Sequence, residues 1–179
     1  MKRLFLSIVI TIITLTAKAQ KGNNSIGFGA DVGIPLGEFG DICTVGFGGY
    51  AKGLLGVGNA GQISLTSGYT VFNLKSDLRQ MIGVDKSSVR IIPVLLGYRH
   101  NMKGVYVEPQ LGLAIFSAKA SVGNVSATNS ESAFAWGFGG GYAWQNGIDL
   151  GVNFSGAAKD GSSDSWISFR LGYNISFRK

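Results

Sequence analysis

The side chains in this chain that could do chemistry are few. His100 is the only histidine and Cys43 the only cysteine among 179 residues. Hydrolysis or acyl transfer commonly needs a histidine base beside a serine nucleophile. His100 instead stands next to Asn101, at the start of the short polar stretch Asn101-Met102-Lys103, and its parity points outward, as for an interfacial residue. A lone cysteine can form no internal disulfide and supplies no ligand pair for a metal. Cys43 therefore reads as a small inert residue near a strand start. The run Gly56-Val57-Gly58-Asn59-Ala60-Gly61 matches G-x-G-x-x-G. That motif binds a dinucleotide only when it opens a helix, and here the next residues, Gln62 to Ser67, alternate like a strand. It reads as a tight turn. Three formal glycosylation acceptors, at Asn124, Asn153 and Asn174, are assigned no role. No catalytic, cofactor-binding or metal-ligating residue is expected, and the chain reads as no enzyme.

Six charges remain that share a pattern. Asp31, Glu108 and Asp149 oppose Lys52, Arg99 and Arg170, all on the polar parity of alternating segments. Three acids and three bases balance. Enclosed together, unpaired charges would be costly, so the expectation is a structural network that plugs whatever these segments surround. An ion pathway lined by the same six groups is the competing reading.

The segments that carry them are strands. From Trp166 to Phe177, Ile167, Phe169, Leu171, Tyr173, Ile175 and Phe177 fall on one parity, and Trp166, Ser168, Arg170, Gly172, Asn174 and Ser176 on the other. Successive side chains of a strand point to opposite faces, and six apolar residues alternating without a miss are a strong strand signal. The same pattern recurs over 25–34, 44–55, 62–72, 89–100, 104–117, 133–144 and 148–156. Pro93 cannot donate to a ladder, so a bulge is expected there. Leu54, Phe72 and Phe116 break the pattern by sitting on the polar parity near strand ends, where a bulge or exit from the membrane would relax the rule. The connections alternate: long at 35–43, 73–88, 118–132 and 159–165, short near Gly58, Met102 and Asn146. A helical turn is expected over Asp77 to Ile82 within the second long connection.

Eight strands with alternating long and short connections predict an all-β, antiparallel up-and-down barrel spanning residues 20–179. Charged residues are only 15% of the chain, against about 25% in a typical soluble domain. The polar face is chiefly Gly, Ser, Thr, Ala and Asn, and 28 glycines suit a narrow interior. The apolar face is therefore expected to meet lipid, with the strands crossing the membrane. Tyr98, Trp144, Tyr173 and Phe177 gather near the short turns, as an interfacial aromatic girdle requires. Residues 1–19 read as a secretory signal peptide: basic Lys2 and Arg3, apolar Leu4 to Thr16, then Ala17-Lys18-Ala19. Lys2, Arg3 and Lys18 also supply three charges of the formal +6; the remainder is scattered and leaves no nucleic-acid footprint.

Leu171 to Phe177 (L-x-Y-x-I-x-F) and Ile92 to Tyr98 (I-P-V-L-L-G-Y) carry a resemblance to the small eight-stranded outer-membrane barrels of the OmpA-transmembrane-domain and OmpX type. The resemblance covers nearly the whole mature chain. It implies an exported protein in the outer membrane of a two-membrane bacterium, surrounded by its lipids. It also implies periplasmic chaperones in transit and the barrel-assembly machinery at insertion. Leu171, Tyr173, Ile175 and Phe177 are similar to the C-terminal signal that this machinery reads, although Arg178 and Lys179 come after the aromatic here. Family roles are envelope integrity, adhesion or limited permeability, and no motif specifies a loop-binding partner. The reading is thus a plugged barrel acting structurally or through its longer loops. The alternatives are a narrow pore, an outer-membrane lipid-modifying enzyme and a soluble periplasmic ligand-binding barrel.

Overall fold

The computed structural model describes residues 24–177 except 82, 84, 85, 123, 124 and 160, and no side chain from 120 to 126. The expected signal peptide lies outside the described residues. The strands are β1 (Ser25–Leu36), β2 (Gly46–Val57), β3 (Gly61–Asn73), β4 (Lys86–Met102), β5 (Val105–Val122), β6 (Val125–Ala143), β7 (Ile148–Lys159) and β8 (Ser162–Ser176). Two short helices, α1 (Gly37–Ile42) and α2 (Ser76–Met81), come after β1 and β3. The strands pair in sequence order, and β1 closes on β8 from Ser25↔Ser176 to Leu36↔Ser165. The up-and-down barrel expected from the alternation is the observed fold.

The pleat then sorts the side chains. Phe28, Leu65, Leu96, Leu111, Phe138 and Leu171 are each more than half exposed on the outer wall. Asp31, Lys52, Arg99, Glu108 and Asp149 are buried inside it. This inverts a soluble barrel, which hides its apolar face and wets its polar one. A closed ring also leaves no unpaired strand edge.

Three features differ from the sequence-based expectations. The connections expected at 118–132 and 159–165 are mostly ladder: β5 and β6 stay paired to Val122↔Val125, and β7 and β8 to Lys159↔Ser162. These stretches are polar on both sides because no apolar face is needed beyond the barrel wall, so the alternation that marks a strand fades. There is no bulge at Pro93. The β3–β4 register is the same on either side of it, at Ser67↔Val94 and Thr70↔Ile91, and the ladder is interrupted only opposite Gly68 and Tyr69. A Cβ on Gly68 would sit 3.7 Å from the Pro93 ring, an ordinary packing distance, so the ring is accommodated without distorting the register. Third, Leu54, Phe72 and Phe116 keep their register and point inward; Leu54 and Phe72 are fully buried.

Phe72 shows what those inward apolar groups do. With Ile91, Leu95 and Trp166 it fills the half of the barrel nearest α1 and α2. Phe39 of α1 covers this plug edge-on, its ring 5.0 Å from that of Phe72, and Phe116 meets Trp166 at 6.5 Å. The segment 37–42 is a poor helix former, with two glycines, and its burial of Phe39 explains why it winds at all. The connections are also tied together. Lys75 N–H donates to the Ile42 carbonyl at 3.0 Å, and Thr44 N–H to that of Asn73 at 2.8 Å. Truncating a fully buried phenylalanine costs about 3–5 kcal/mol. Phe72→Ala is expected to lower stability by that amount in urea titration of the detergent-folded protein, with the strand spectrum in circular dichroism retained.

Candidate functional site

Beneath the apolar plug, toward the short turns, the lumen holds a compact ionic cluster. Glu108 on β5 is its centre. Its Oε2 accepts from Lys52 Nζ on β2 at 2.7 Å. Its Oε1 accepts from Ser64 Oγ on β3 at 2.6 Å and from Gln110 Nε2 at 2.7 Å. Asp149 on β7 is the second anion. It accepts from Arg99 Nη2 at 2.5 Å, Tyr106 OH at 2.7 Å and Asn174 Nδ2 at 2.8 Å. Arg99 joins the two, with its Nε 3.7 Å from Glu108 Oε2 and its guanidinium 3.3 Å from the centre of the Tyr106 ring. Each carboxylate is thus surrounded by donors drawn from several strands. That satisfaction is the condition under which buried ions are tolerated.

Of the six charges singled out in the sequence, the structure brings these four together. Asp31 and Arg170 lie directly opposite each other on β1 and β8, yet they form no ion pair. Thr70 Oγ1 donates to Asp31 at 3.0 Å, and the Arg170 guanidinium lies 5.2 Å from the Tyr50 ring. The physical reason is lateral. The long Arg170 side chain leans toward the aromatic face, while the short carboxylate bonds to the nearer hydroxyl. A cavity of about 10 Å³ separates these groups, lined by Asp31, Tyr50, Thr70 and Arg170, which is about the space of one water.

The residues that sequence reasoning did not assign to the cluster are Tyr50, Ser64, Tyr106, Gln110 and Asn174. Their inward parity was visible; which of them meet across the lumen depends on strand stagger, which parity does not carry. Two tyrosines reach across to glycine positions. A Cβ on Gly172 would overlap the Tyr50 hydroxyl, and one on Gly151 would lie 2.5 Å from that of Tyr106. Toward the turns the cluster opens into a polar vestibule of about 480 Å³, walled by Gln62, Arg99, Asn101, Gln145 and Asn174. Toward α1 and α2 it is closed by the plug.

The outer wall carries the other positions. Tyr98, Trp144, Tyr173 and Phe177 are exposed at the turn end, and Tyr142 packs edge-on against Trp144 at 4.7 Å. Leu171, Tyr173, Ile175 and Phe177 form one exposed row on β8 and just beyond it. His100 is exposed on the same wall, its ring 6.3 Å from that of Tyr98. Cys43 is buried beside the plug, where desolvation and then the Asp164 carboxylate push its thiol up to about 11. Among the described residues, no three His, Cys, Asp or Glu side chains gather as metal ligands.

No family model matches the chain, and no curated protein matches it in sequence. Solved structures do match in fold. Ail, the attachment invasion locus protein of Yersinia pestis, solved with the heparin analogue sucrose octasulfate, aligns with a TM-score of 0.66 at 16% identity, over 87% of this chain and 100% of that one. The N-terminal β-barrel domain of Pseudomonas aeruginosa OprF aligns at 0.60 and 13% identity, over 87% and 100%. Neisserial surface protein A aligns at 0.58 and 14% identity, over 86% and 97%. The chain has the fold of the small outer-membrane barrels.

Removing one partner of a buried ion pair costs about 3–5 kcal/mol, because the other charge is left behind. Glu108→Gln is expected to destabilise the folded barrel by that amount in urea titration, and Lys52→Met added to it to recover most of the loss. A buried, protonated thiol is a poor nucleophile. Cys43 is expected to resist maleimide labelling at about neutral pH until the protein is denatured, as read by mass spectrometry.

Proposed function

We propose that this chain is an integral outer-membrane protein whose barrel is a sealed, non-catalytic support, presenting the ends of its long hairpins to the cell exterior. The observation that carries this reading is the unbroken belt of exposed apolar side chains around a closed sheet, with paired ions on its inner side. Lipid removes the cost of exposing such a belt, and a closed barrel satisfies every backbone group that lipid cannot. The short turns then face the periplasm, and the β5–β6 hairpin, exposed throughout 127–132, projects outward as the surface for interaction.

Residues 1–19 supply the export signal in this reading. Periplasmic chaperones carry the unfolded chain, and the assembly machinery reads the row Leu171, Tyr173, Ile175 and Phe177 on the strand that closes the ring. The six inward charges serve structure, and Tyr98, Trp144, Tyr173 and Phe177 anchor the belt at the periplasmic interface. The apolar plug weighs against a narrow pore. A conducting path needs polar lining throughout, and Phe72, Ile91, Leu95 and Trp166 interrupt it. His100 is flanked across the ladder by Gly61 and Val107 and its ring stacks on Tyr98, and the lack of a serine among these neighbours weighs against a lipid-modifying enzyme.

Folding into phosphatidylcholine vesicles tests the placement. The chain is expected to show heat-modifiable gel mobility and to give no stepwise conductance in planar bilayers. Failure to insert, or steady channels from pure protein, would defeat the respective half of the proposal. A lipid-facing cation at mid-depth costs about 2–4 kcal/mol. Phe169→Arg is therefore expected to cut the heat-modifiable fraction sharply, while Phe169→Leu leaves it unchanged.

A further inference from the structure

Where the outer wall leaves its apolar belt, it does so abruptly on one side of the barrel. Ile92 on β4 pairs with Ile115 on β5, both facing outward. The next outward row is Val71, Arg90 and Ser117, and the one beyond it Asn73, Ser88 and Lys119. Lys86 extends the same face of β4 by one further step, and α2 contributes Arg79. Together Arg79, Lys86, Arg90 and Lys119 line a pocket of about 400 Å³, with Asn73, Ser87 and Ser88 completing its wall. Among the described residues no carboxylate lines it. The Arg90 Nε is buried there without a hydrogen-bond partner among the described residues.

Cations converging on a pocket whose wall holds no carboxylate form a site for an anion with several oxygens, because guanidinium and ammonium groups bind phosphate through charge-assisted hydrogen bonds. Its position narrows the choice. Arg90, Ser88, Lys86 and Lys119 share the outward parity, and Arg90 stands in the row directly beyond the lipid-facing Ile92 and Ile115. We propose that this pocket binds the phosphorylated headgroup of an outer-leaflet lipid, whose acyl chains lie on the apolar belt directly below. The inference rests on the membrane placement proposed above. An amphiphile with more than one phosphate fits best, since a single phosphate spans only part of the row from Arg90 to Lys86 and Lys119.

The test uses the full chain folded in detergent and offered diphosphorylated lipid A, its monophosphorylated form and its fully dephosphorylated form, with bound lipid counted by native mass spectrometry. Retention is expected to fall with each phosphate removed. It is also expected to fall at least about tenfold for diphosphorylated lipid A when Arg90→Gln and Lys119→Gln are combined, roughly the loss of one or two charge-assisted bonds. Equal retention of the three lipids by the unsubstituted chain overturns the proposal, whatever the variant does. So does undiminished retention by a folded variant. If pyrophosphate or a soluble sulfated sugar binds as tightly as lipid A, the pocket serves a soluble anion and the lipid assignment falls. Heat-modifiable insertion into phosphatidylcholine vesicles is checked first. Its failure removes the membrane placement and this inference with it, whereas insertion without phosphate preference removes this inference alone.

Discussion

The structure depends on the two-residue period of a strand bent into a closed ring. Once β1 pairs with β8, every side chain must face either the enclosed space or the surroundings, with no edge to soften the division. A shift of one residue in any strand would carry its aromatics into the lumen and its charges outward. That coupling explains how a chain with little charge and many glycines specifies one register. Each strand contributes a one-sided apolar row, which excludes one-residue slips, and contacts across the lumen select among the staggers two residues apart.

The interior created by this closure is narrow, and between the turn-end vestibule and the helices the chain fills it in two ways. Toward the short turns it uses ions, with Glu108 and Asp149 each surrounded by donors from several strands. Toward the helices it uses Phe72, Ile91, Leu95 and Trp166, capped by Phe39. The two fillings differ in what they demand. Apolar packing tolerates small adjustments of position, but a buried carboxylate needs its donors within hydrogen-bond reach. The ionic half therefore fixes the stagger of β2, β3, β4, β5, β7 and β8 relative to one another, and the apolar half closes the remaining path.

What the sequence revealed and what it hid have one physical origin. The parity of Ile167 to Phe177, and of each earlier strand, was legible because lipid-facing and enclosed positions demand opposite residue types. The outward ends of β5, β6 and β8 were not, since both faces there meet water and Ser, Asn, Thr and Ala serve either side. Phe72 stands out as an exception because its end of the lumen is filled by apolar packing and holds no ion cluster, whereas Leu54 is an apolar residue within the ionic half, where it lines the vestibule beside Arg99. Asp31 and Arg170 share the parity of the other charges, but strand stagger decides contacts across a lumen, and it is not written in local sequence. Phe39 carried no periodic signal, because a single helical turn is too short to have one.

The crossing of Tyr50 over Gly172, and of Tyr106 over Gly151, ties distant positions by volume. Each ring occupies room left by a missing methyl group on a strand it does not adjoin. Drift at these four sites is therefore expected to be correlated. An alanine at 151 is eased by a smaller residue at 106, whereas at 172 the Phe28 carbonyl oxygen, 2.9 Å from the added methyl group, must shift as well as Tyr50. In descendants of this chain, the lumen would change by paired exchanges between next-but-one strands rather than one strand at a time.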